Sequence, residues 1–236
     1  MKPFHFKQFT IHQDRCPMKI GTDGVLLGAW ATVTPQPETV LDIGTGSGII
    51  ALQLAQRTNA NTIDAIEIDG DAFEQAVDNF EHSPWNDRLF CYHISLKAFA
   101  QEMNEKYDLI ISNPPFYTED TRAKDPGKRR AKFSTSLPFE LLVNSATKLL
   151  SPKGIFATII PHKEELGFMT MAKASGLHLI RSCHVQGTSA SPIKRSLIEF
   201  SFEPKDPVRE SLIIETSRHQ YTAEYKALVQ DFYLNM

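Results

Sequence analysis

A polar corner follows a strongly apolar stretch of this 236-residue sequence. Residues 109–111 lie in a predicted buried parallel strand, and Asn113-Pro114-Pro115-Phe116 comes soon after it. Because each proline fixes its own φ and lacks an N–H, the corner holds its carbonyl groups without helix or sheet partners. The Asn113 oxygen and the Pro114 carbonyl can accept both hydrogens of a planar NH₂ group, while the Phe116 ring stacks on its plane. The corner therefore predicts chemistry on an amine nitrogen, whose lone pair stays free for attack; a simple turn after a strand explains the same residues.

A glycine-rich turn lies upstream, between a predicted strand over 40–43 and a predicted helix. Gly44, Gly46 and Gly48 permit a ligand to approach the main chain closely, and the first N–H groups of the helix point toward that ligand. The dinucleotide fingerprint needs its third glycine one position later, where this sequence has Ile49. The turn therefore predicts a nucleotide cradle and disfavours a nicotinamide cofactor.

Polar residues in neighbouring strands extend this predicted cofactor site. Glu67 ends the next strand, 19 residues beyond Gly48, where its carboxylate can accept hydrogen bonds from both ribose hydroxyls. Asp42, in the strand before the turn, and Asn113, in the polar corner, are further candidates for contact with the cofactor. Ser95 and Leu96, at the end of a strand over 88–94, would lie beside an adenine, although a helix cap explains Ser95 equally well.

Two loops carry clustered positive charge. Residues 117–137 have many cations and few aliphatic side chains, which predicts a mobile basic loop beside the polar corner, able to neutralise phosphates. A second loop spans 187–195 and ends in two cations. A solvated run of charge is the alternative interpretation. The candidate RNA-binding residues are Lys128, Arg129, Arg130, Lys132, Lys194 and Arg195.

The remaining pattern predicts the α/β elements that position these residues. Strands alternate with helices from residue 40 onward, and no internal repeat or low-complexity linker divides the chain. We therefore expect a single domain over 1–236. Later helices are predicted at 138–150, 162–175 and 223–232, with strands at 155–160, 177–185, 196–202 and 212–215 and a turn at 151–154.

The N-terminal segment mixes aromatic and basic residues. Alternation of Phe4 and Phe6 with polar residues predicts a short strand or hairpin in an extension over 1–36 that packs on the domain. Residues 1–20 suit either a packing arm or an RNA-contacting arm. Further on, Thr22 or Asp23 would make a good N-cap for the apolar helix that follows.

Composition excludes several classes of function. The net charge is −3, from 25 basic and 28 acidic residues, so the protein as a whole lacks the excess of positive charge that favours binding to nucleic acid. Any contact with RNA must therefore come from a local basic patch. Three separated cysteines fit neither a disulfide framework nor a zinc site, and the histidines show no metal-ligand spacing. Because the sequence shows no signal peptide or membrane span, we expect a cytoplasmic protein without a metal.

Taken together, VLDIGTGSG, Glu67 and NPPF resemble the Rossmann-like methyltransferases that use S-adenosylmethionine to modify exocyclic amines. More narrowly, MKIGTDGVLLGAW at 18–30 and YTAEYKALVQDFYL at 221–234 resemble signatures of the bacterial tRNA1(Val) adenine N6-methyltransferase family. That family methylates N6 of the adenine immediately 3′ of the anticodon, at position 37. The resemblance implies a class I fold with a seven-stranded, mostly parallel sheet in the order 3-2-1-4-5-7-6, the last strand antiparallel.

The same resemblance implies a role for each candidate residue. Asn113 and Pro114 would orient the adenine N6 while Phe116 stacks on the base. The glycine turn would admit the methionine half of the cofactor and Glu67 would hold its ribose. Ser95 departs from the wider fold, where many relatives have an aspartate for the cofactor's adenine. The residues implied to border the methionyl end are Lys19, Thr22 and Asp23.

Other functions share parts of this pattern. Ribosomal RNA guanine-N2, DNA adenine and protein glutamine methyltransferases also use NPPF or NPPY, since a planar NH₂ group is common to their substrates. A protein glutamine enzyme would have little use for the cations at 128–132. A non-catalytic RNA-binding protein and a nicotinamide dehydrogenase are further alternatives, which the intact motifs and the glycine spacing oppose. We therefore predict a tRNA adenine N6-methyltransferase.

Overall fold

A computed structural model describes residues 2–115 and 137–236 of the chain. Within these ranges an eight-stranded sheet carries helices on both faces, and two small hairpins lie outside it. The strands are β1 (Phe4–His5), β2 (Thr10–Ile11), β3 (Thr39–Ile43), β4 (Thr62–Glu67), β5 (Leu89–His93), β6 (Tyr107–Ser112), β7 (Leu150–Pro161), β8 (His178–Gln186), β9 (Ile193–Ser201), β10 (Val208–Ile213), β11 (Glu215–Ser217) and β12 (Gln220–Tyr221). The helices are α1 (Thr22–Trp30), α2 (Ile49–Arg57), α3 (Gly70–Glu81), α4 (Leu96–Glu102), α5 (Phe139–Leu149), α6 (Glu165–Ala174) and α7 (Ala223–Val229), with a 3₁₀ turn (His162–Glu164) before α6.

The central sheet runs in the order β5-β4-β3-β6-β7-β9-β8-β10. Strands β5 through β7 of this order pair in parallel, whereas β9 is antiparallel to both of its neighbours. If β3 to β9 are renumbered 1 to 7, their order in the sheet is 3-2-1-4-5-7-6, as predicted, and the class of fold is confirmed. The predicted number of strands is wrong, because β10 pairs in parallel with β8 as an eighth strand of the described sheet. The sequence signal was weak there because residues 208–211 are exposed and give no apolar alternation.

Side chains of the central strands alternate between two apolar cores. In β6, Leu109 and Ile111 face one core and Ile110 faces the other, as the two-residue period of a strand requires. The first core joins the sheet to α1, α2, α3 and α7, and the second joins it to α4, α5 and α6. The described helices include none that is long and apolar enough to cross a membrane.

The N-terminal arm packs through its aromatic residues. Phe6 and Phe9 are buried in the first core, and their rings lie 4.7 Å apart. Phe6 also forms an antiparallel bridge with Tyr233, so the two ends of the chain meet on this face. These contacts favour the packing arm over an RNA-contacting arm for this part of the N-terminal segment.

Two local predictions were wrong. Neither Thr22 nor Asp23 is the N-cap of α1, because Gly21 holds that position and both residues lie inside the helix. The Asp23 carboxylate pairs with Arg195 instead. The turn predicted at 151–154 falls inside β7, where the ladder is irregular and these residues protrude between two pairings with β6.

Candidate active site

The polar corner leaves the sheet beside the glycine turn. Ser112, the last residue of β6, pairs in register with Ile43, the last residue of β3. Its hydroxyl donates a hydrogen bond to the Ile43 carbonyl at 2.9 Å, and its own carbonyl accepts one from Thr158 at 2.9 Å. Because parallel strands end at the same edge, Asn113 and Gly44 leave the sheet as neighbours. The main chain entering the corner is therefore held from both sides.

The described part of the corner is only partly accessible. Asn113 and Pro115 are half-buried and Pro114 is buried. Phe116, predicted to stack on the substrate, lies outside the described residues, as do Lys128, Arg129, Arg130 and Lys132 of the predicted RNA-binding set. The fold thus sets Asn113 and Pro114 directly after β6, at the carboxyl edge of the sheet. Their roles, and those of Phe116 and the basic residues, remain predictions.

The three glycines of the turn all have positive φ, but they serve two different purposes. A Cβ added to Gly44 (φ +72°) or Gly46 (φ +58°) would meet no described atom within 4 Å, so both border open space. A Cβ on Gly48 (φ +83°) would lie 2.5 Å from Cε1 of Phe80. Gly44 and Gly46 therefore leave room for a ligand, as predicted. Gly48 instead permits close packing of α2 on α3, which is a structural reason for the glycine.

Main-chain hydrogen bonds fix the shape of the turn. The N–H groups of Gly44 and Thr45 both donate to the Ile66 carbonyl, at 2.9 and 3.1 Å. The Gly46 N–H donates to Oε2 of Glu67 at 2.9 Å. The open side of the turn is thus a rigid concave main chain, which suits close approach by a cofactor.

Glu67 organises the end of β4 as well as the turn. Its Oε1 accepts hydrogen bonds from the N–H groups of Ile68 and Asp69, at 2.8 and 2.9 Å. A carboxylate offers about four lone-pair positions, so after three N–H donors roughly one remains for a ribose hydroxyl. The sequence did not single out Ile68, a large apolar residue that follows Glu67 at the end of β4 and is 50% exposed. The signal that could have found it is an aliphatic residue between two acids at a strand end.

Asp42 lies beneath the turn rather than in the open space. It is fully buried, and its Oδ2 accepts a hydrogen bond from the Thr45 hydroxyl at 2.6 Å. Burial raises the pKa of the Asp42 carboxyl to about 7, although the bond from Thr45 opposes this shift. Asp42 therefore supports the turn from inside, and its predicted cofactor contact could act through Thr45.

Ser95 and Leu96 occupy the start of α4. The Ser95 hydroxyl oxygen accepts a hydrogen bond from the Ala98 N–H at 3.2 Å, so this serine is the helix N-cap. Leu96 is buried in the second core. The capping alternative thus accounts for Ser95, and the adenine contact stays a prediction.

The segment before α1 is tied to the glycine turn. Lys19 donates from its ammonium group to the carbonyls of Gln13 and Cys16, at 2.6 and 2.7 Å. Asn79, which the sequence did not single out, donates to the carbonyls of His12 and Ser47, both at 2.8 Å. Asn79 is buried and joins the arm, α3 and the turn. Lys19 therefore lies in a braced segment near the predicted methionyl end of the cofactor.

The two cations predicted at the end of the 187–195 loop differ in environment. Lys194 is exposed, whereas the Arg195 Nε donates to the Asp23 carboxylate at 2.7 Å. Thr22, the remaining residue predicted to border the cofactor, is exposed at the start of α1. The structure thus joins a predicted RNA-binding residue to a predicted cofactor-binding residue.

A cluster missed by sequence spacing lies at the carboxyl ends of β7 and β8. Oε2 of Glu165 accepts hydrogen bonds from His184 at 2.9 Å and Ser196 at 2.7 Å. It also lies 2.8 Å from Nδ1 of His162, which is hydrogen-bonded to the Ser196 hydroxyl at 2.9 Å. Burial raises the pKa of the Glu165 carboxyl, but the bonds from Ser196 and His184 outweigh burial and leave this pKa below its ordinary value. The ligand atoms of His162, Glu165 and His184 lie within 4.8 Å of one another, a spacing that could hold a metal ion.

Comparison with known proteins agrees with this architecture. The methyltransferase small domain family matches residues 24–174. Solved structures with similar folds include a predicted O-methyltransferase from Agrobacterium tumefaciens, with a TM-score of 0.66 at 16% identity, covering 89% of this chain and 96% of that one. A putative class I S-adenosylmethionine-dependent methyltransferase from Listeria monocytogenes has a TM-score of 0.59 at 13% identity, covering 88% and 68%. These likenesses show the class I methyltransferase fold, whose cofactor is S-adenosylmethionine.

Similarity to curated relatives extends over the full chain. The tRNA1(Val) (adenine(37)-N6)-methyltransferase of Christiangramia forsetii is 53% identical, covering 100% of this chain and 99% of the relative. The protein of the same name from Flavobacterium johnsoniae is 54% identical, covering 99% and 100%. That of Serratia proteamaculans is 41% identical, covering 98% and 89%. The chain therefore belongs to the tRNA1(Val) (adenine(37)-N6)-methyltransferase family.

Proposed function

We propose that this protein transfers a methyl group from S-adenosylmethionine to N6 of adenine 37 in tRNA1(Val). The observation that carries the proposal is the register of Ser112 with Ile43, which sets the Asn113 corner beside the open side of Gly44 and Gly46. Residues that can accept amine hydrogens therefore lie next to the glycine turn that can hold the cofactor. The choice of adenine 37 of tRNA1(Val) as the substrate follows the names of relatives that are 52–54% identical.

The chain's own residues would act mainly by orientation. The Asn113 oxygen and the Pro114 carbonyl accept the two N6 hydrogens, which turns the nitrogen lone pair toward the cradle. Half-burial of Asn113 limits competition from water. Orienting two reactants in this way contributes about 7 to 11 kcal/mol to lowering a barrier. As N6 forms its bond to the methyl group, the bond from that methyl to the sulfonium sulfur breaks and S-adenosylhomocysteine would be released. N6 would then lose one proton to solvent, because Asn113 and Pro114 accept hydrogen bonds but take up no proton.

The cradle residues fit the cofactor. When bound, S-adenosylmethionine supplies an electrophilic methyl group on its sulfonium. Gly44 and Gly46 would pass along its methionine half, and the remaining lone pair of Glu67 would accept from the ribose. Ile68 would pack on the adenine. Lys19, Thr22 and Asp23 would border the methionyl end.

The tRNA would approach across the carboxyl edge of the sheet. Lys194 and the cations at 128–132 are proposed to contact phosphates of the anticodon region. We infer a cytoplasmic enzyme, because its proposed tRNA substrate is found there. An adenine in a single-stranded loop costs less to unstack than a paired one, at a few kcal/mol. Stacking on Phe116 would offer about 1 to 3 kcal/mol in return.

The test is transfer from radiolabelled S-adenosylmethionine to unmodified tRNA1(Val) transcript, followed by nuclease digestion. We expect label in N6-methyladenosine. A matched transcript with guanine at position 37 is expected to accept none. Label in both transcripts would place the reaction at another nucleotide, and label in guanine or in protein glutamine would contradict the proposal.

A further inference from the structure

Helix α1 is fixed at both ends by charged residues of β9 and β8. At its C-terminal end, the Glu199 carboxylate accepts hydrogen bonds from the Thr32 N–H at 2.6 Å and hydroxyl at 2.8 Å. Arg181 donates to the Trp30 carbonyl at 3.0 Å, and its guanidinium lies 4.3 Å from the centre of the Trp30 ring. This end of the helix is therefore firmly anchored to the sheet.

An ion pair joins the N-terminal end to the same strand. Arg195 and Glu199 are four residues apart on β9, so they share a face with Leu197, which is buried in the first core with residues of α1. Four residues of strand span about 13 Å. Nine residues of helix span about 13.5 Å, so α1 and this stretch of β9 match in length. The Arg195 Nε reaches Asp23 at 2.7 Å at the other end of that match.

The first turn of α1 lies against the polar corner. A Cβ added to Gly24, the residue after Asp23, would stand 3.8 Å from Nδ2 of Asn113 and 3.4 Å from Cγ2 of Ile49. The added Cβ would be in van der Waals contact, so the main chain of this turn lies within about one methyl group of the carboxamide. A shift of the helix end would widen the space on that side of Asn113.

We propose that Arg195 is a positioning residue for methyl transfer: by pairing with Asp23 it holds the first turn of α1 against Asn113 and so fixes the orientation of the carboxamide. This role rests on the proposed function of Asn113. It differs from the RNA contact that the sequence predicts for Arg195. A displacement of reacting groups by about 1 Å reduces rates by about 10²-fold. A single ion pair such as Arg195 with Asp23 can therefore have a large effect on the rate.

The test is steady-state kinetics of Arg195→Met with tRNA1(Val) transcript and S-adenosylmethionine. We expect kcat to fall at least about tenfold, while KM for tRNA changes little. The matched control is Lys205→Met, which removes an exposed cation that pairs with Glu203 at 3.4 Å, far along the chain from α1. Lys205→Met is expected to behave as wild type.

Charge exchange distinguishes positioning from a general loss of structure. Because Asp23 is also proposed to border the methionyl end of the cofactor, kcat is compared at saturating S-adenosylmethionine. Under that condition Asp23→Arg and Arg195→Asp should each lower kcat, and the double variant should recover a large part of it. A raised KM for tRNA with unchanged kcat, or no recovery in the double variant, would overturn the positioning role. A wild-type protein that methylates no adenine would instead overturn the proposed function, so the two failures are distinguishable.

Discussion

Gly48→Ala is expected to destabilise the protein more than Gly46→Ala does, although both substitutions add one methyl group to the same turn. Both residues have positive φ, at +83° and +58°, where a Cβ costs about 1 to 2 kcal/mol. At Gly46 the new Cβ would meet no described atom within 4 Å. At Gly48 it would stand 2.5 Å from Cε1 and 3.2 Å from Cζ of Phe80. Phe80 is 2% exposed in the first core, so its ring cannot move aside freely.

Overpacking of this kind costs about 1 to 3 kcal/mol beyond the strain. The expected loss in free energy of unfolding is therefore about 1 to 2 kcal/mol for Gly46→Ala and about 2 to 5 kcal/mol for Gly48→Ala. Urea unfolding without cofactor measures it, provided the slope m is unchanged between variants. Phe80→Leu should recover part of the loss in the Gly48→Ala background, because the smaller side chain relieves the clash.

Cofactor affinity should change in the opposite order. The methyl group at Gly46 would enter the space proposed for the methionine half, whereas the one at Gly48 would point into the core. Calorimetric titration with S-adenosylmethionine should therefore show the greater loss of affinity for Gly46→Ala, among molecules that remain folded. The reasoning would be refuted if both variants lost the same free energy of unfolding, if Phe80→Leu had no effect on the loss in Gly48→Ala, or if Gly48→Ala lost more cofactor affinity. Any of these results would contradict the conclusion that Gly46 borders the ligand while Gly48 packs in the core.

Three further predictions concern the corner, the buried acid and the second core. Asn113→Ala should reduce kcat severely and leave the Kd for S-adenosylmethionine nearly unchanged, because the main proposed role of the carboxamide is to accept a hydrogen of the amine. Single-turnover assays measure the first quantity and calorimetric titration the second. Asp42→Asn should flatten the pH dependence of stability. The native Asp42 carboxyl keeps its proton up to a pKa of about 7, whereas the unfolded one loses it near 4, so the free energy of unfolding falls as pH rises between them, by at most about 4 kcal/mol. Phe168→Ala, which removes a fully buried ring 5.1 Å from Phe139, should cost about 3 to 5 kcal/mol in urea unfolding.

Each of these has an outcome that would contradict it. Normal turnover by Asn113→Ala would mean that the corner is only a turn. Stability profiles of Asp42→Asn and wild type that run parallel from pH 4 to pH 8 would place the titration on another group. A loss below about 1 kcal/mol for Phe168→Ala would indicate that α6 contributes little to the second core.

The sequence predicted those parts of the site whose structure depends on residues close together in the chain. The strand, turn and helix around Gly44 have local apolar periods, and the proline corner after β6 needs only its own residues. The pair of Arg195 with Asp23 joins positions 172 apart, and no local pattern announces it. The packing of Gly48 on Phe80 likewise depends on how α3 lies on α2. Such contacts follow from the fold as a whole and appear only in three dimensions.

The site depends on the register between β3 and β6. These strands are adjacent and parallel, and Ile43 pairs with Ser112, so the cradle and the acceptor corner begin at the same level. A slip of one residue would move the corner by about 3.3 Å and exchange the faces of Leu109 and Ile110 between the two cores. The alternation of apolar side chains in β6 therefore contributes to stability and also sets the position of the corner relative to the glycine turn. Because the proposed mechanism relies on orientation rather than on an acid or base, the register that buries the strand also sets the alignment on which the proposed methyl transfer depends.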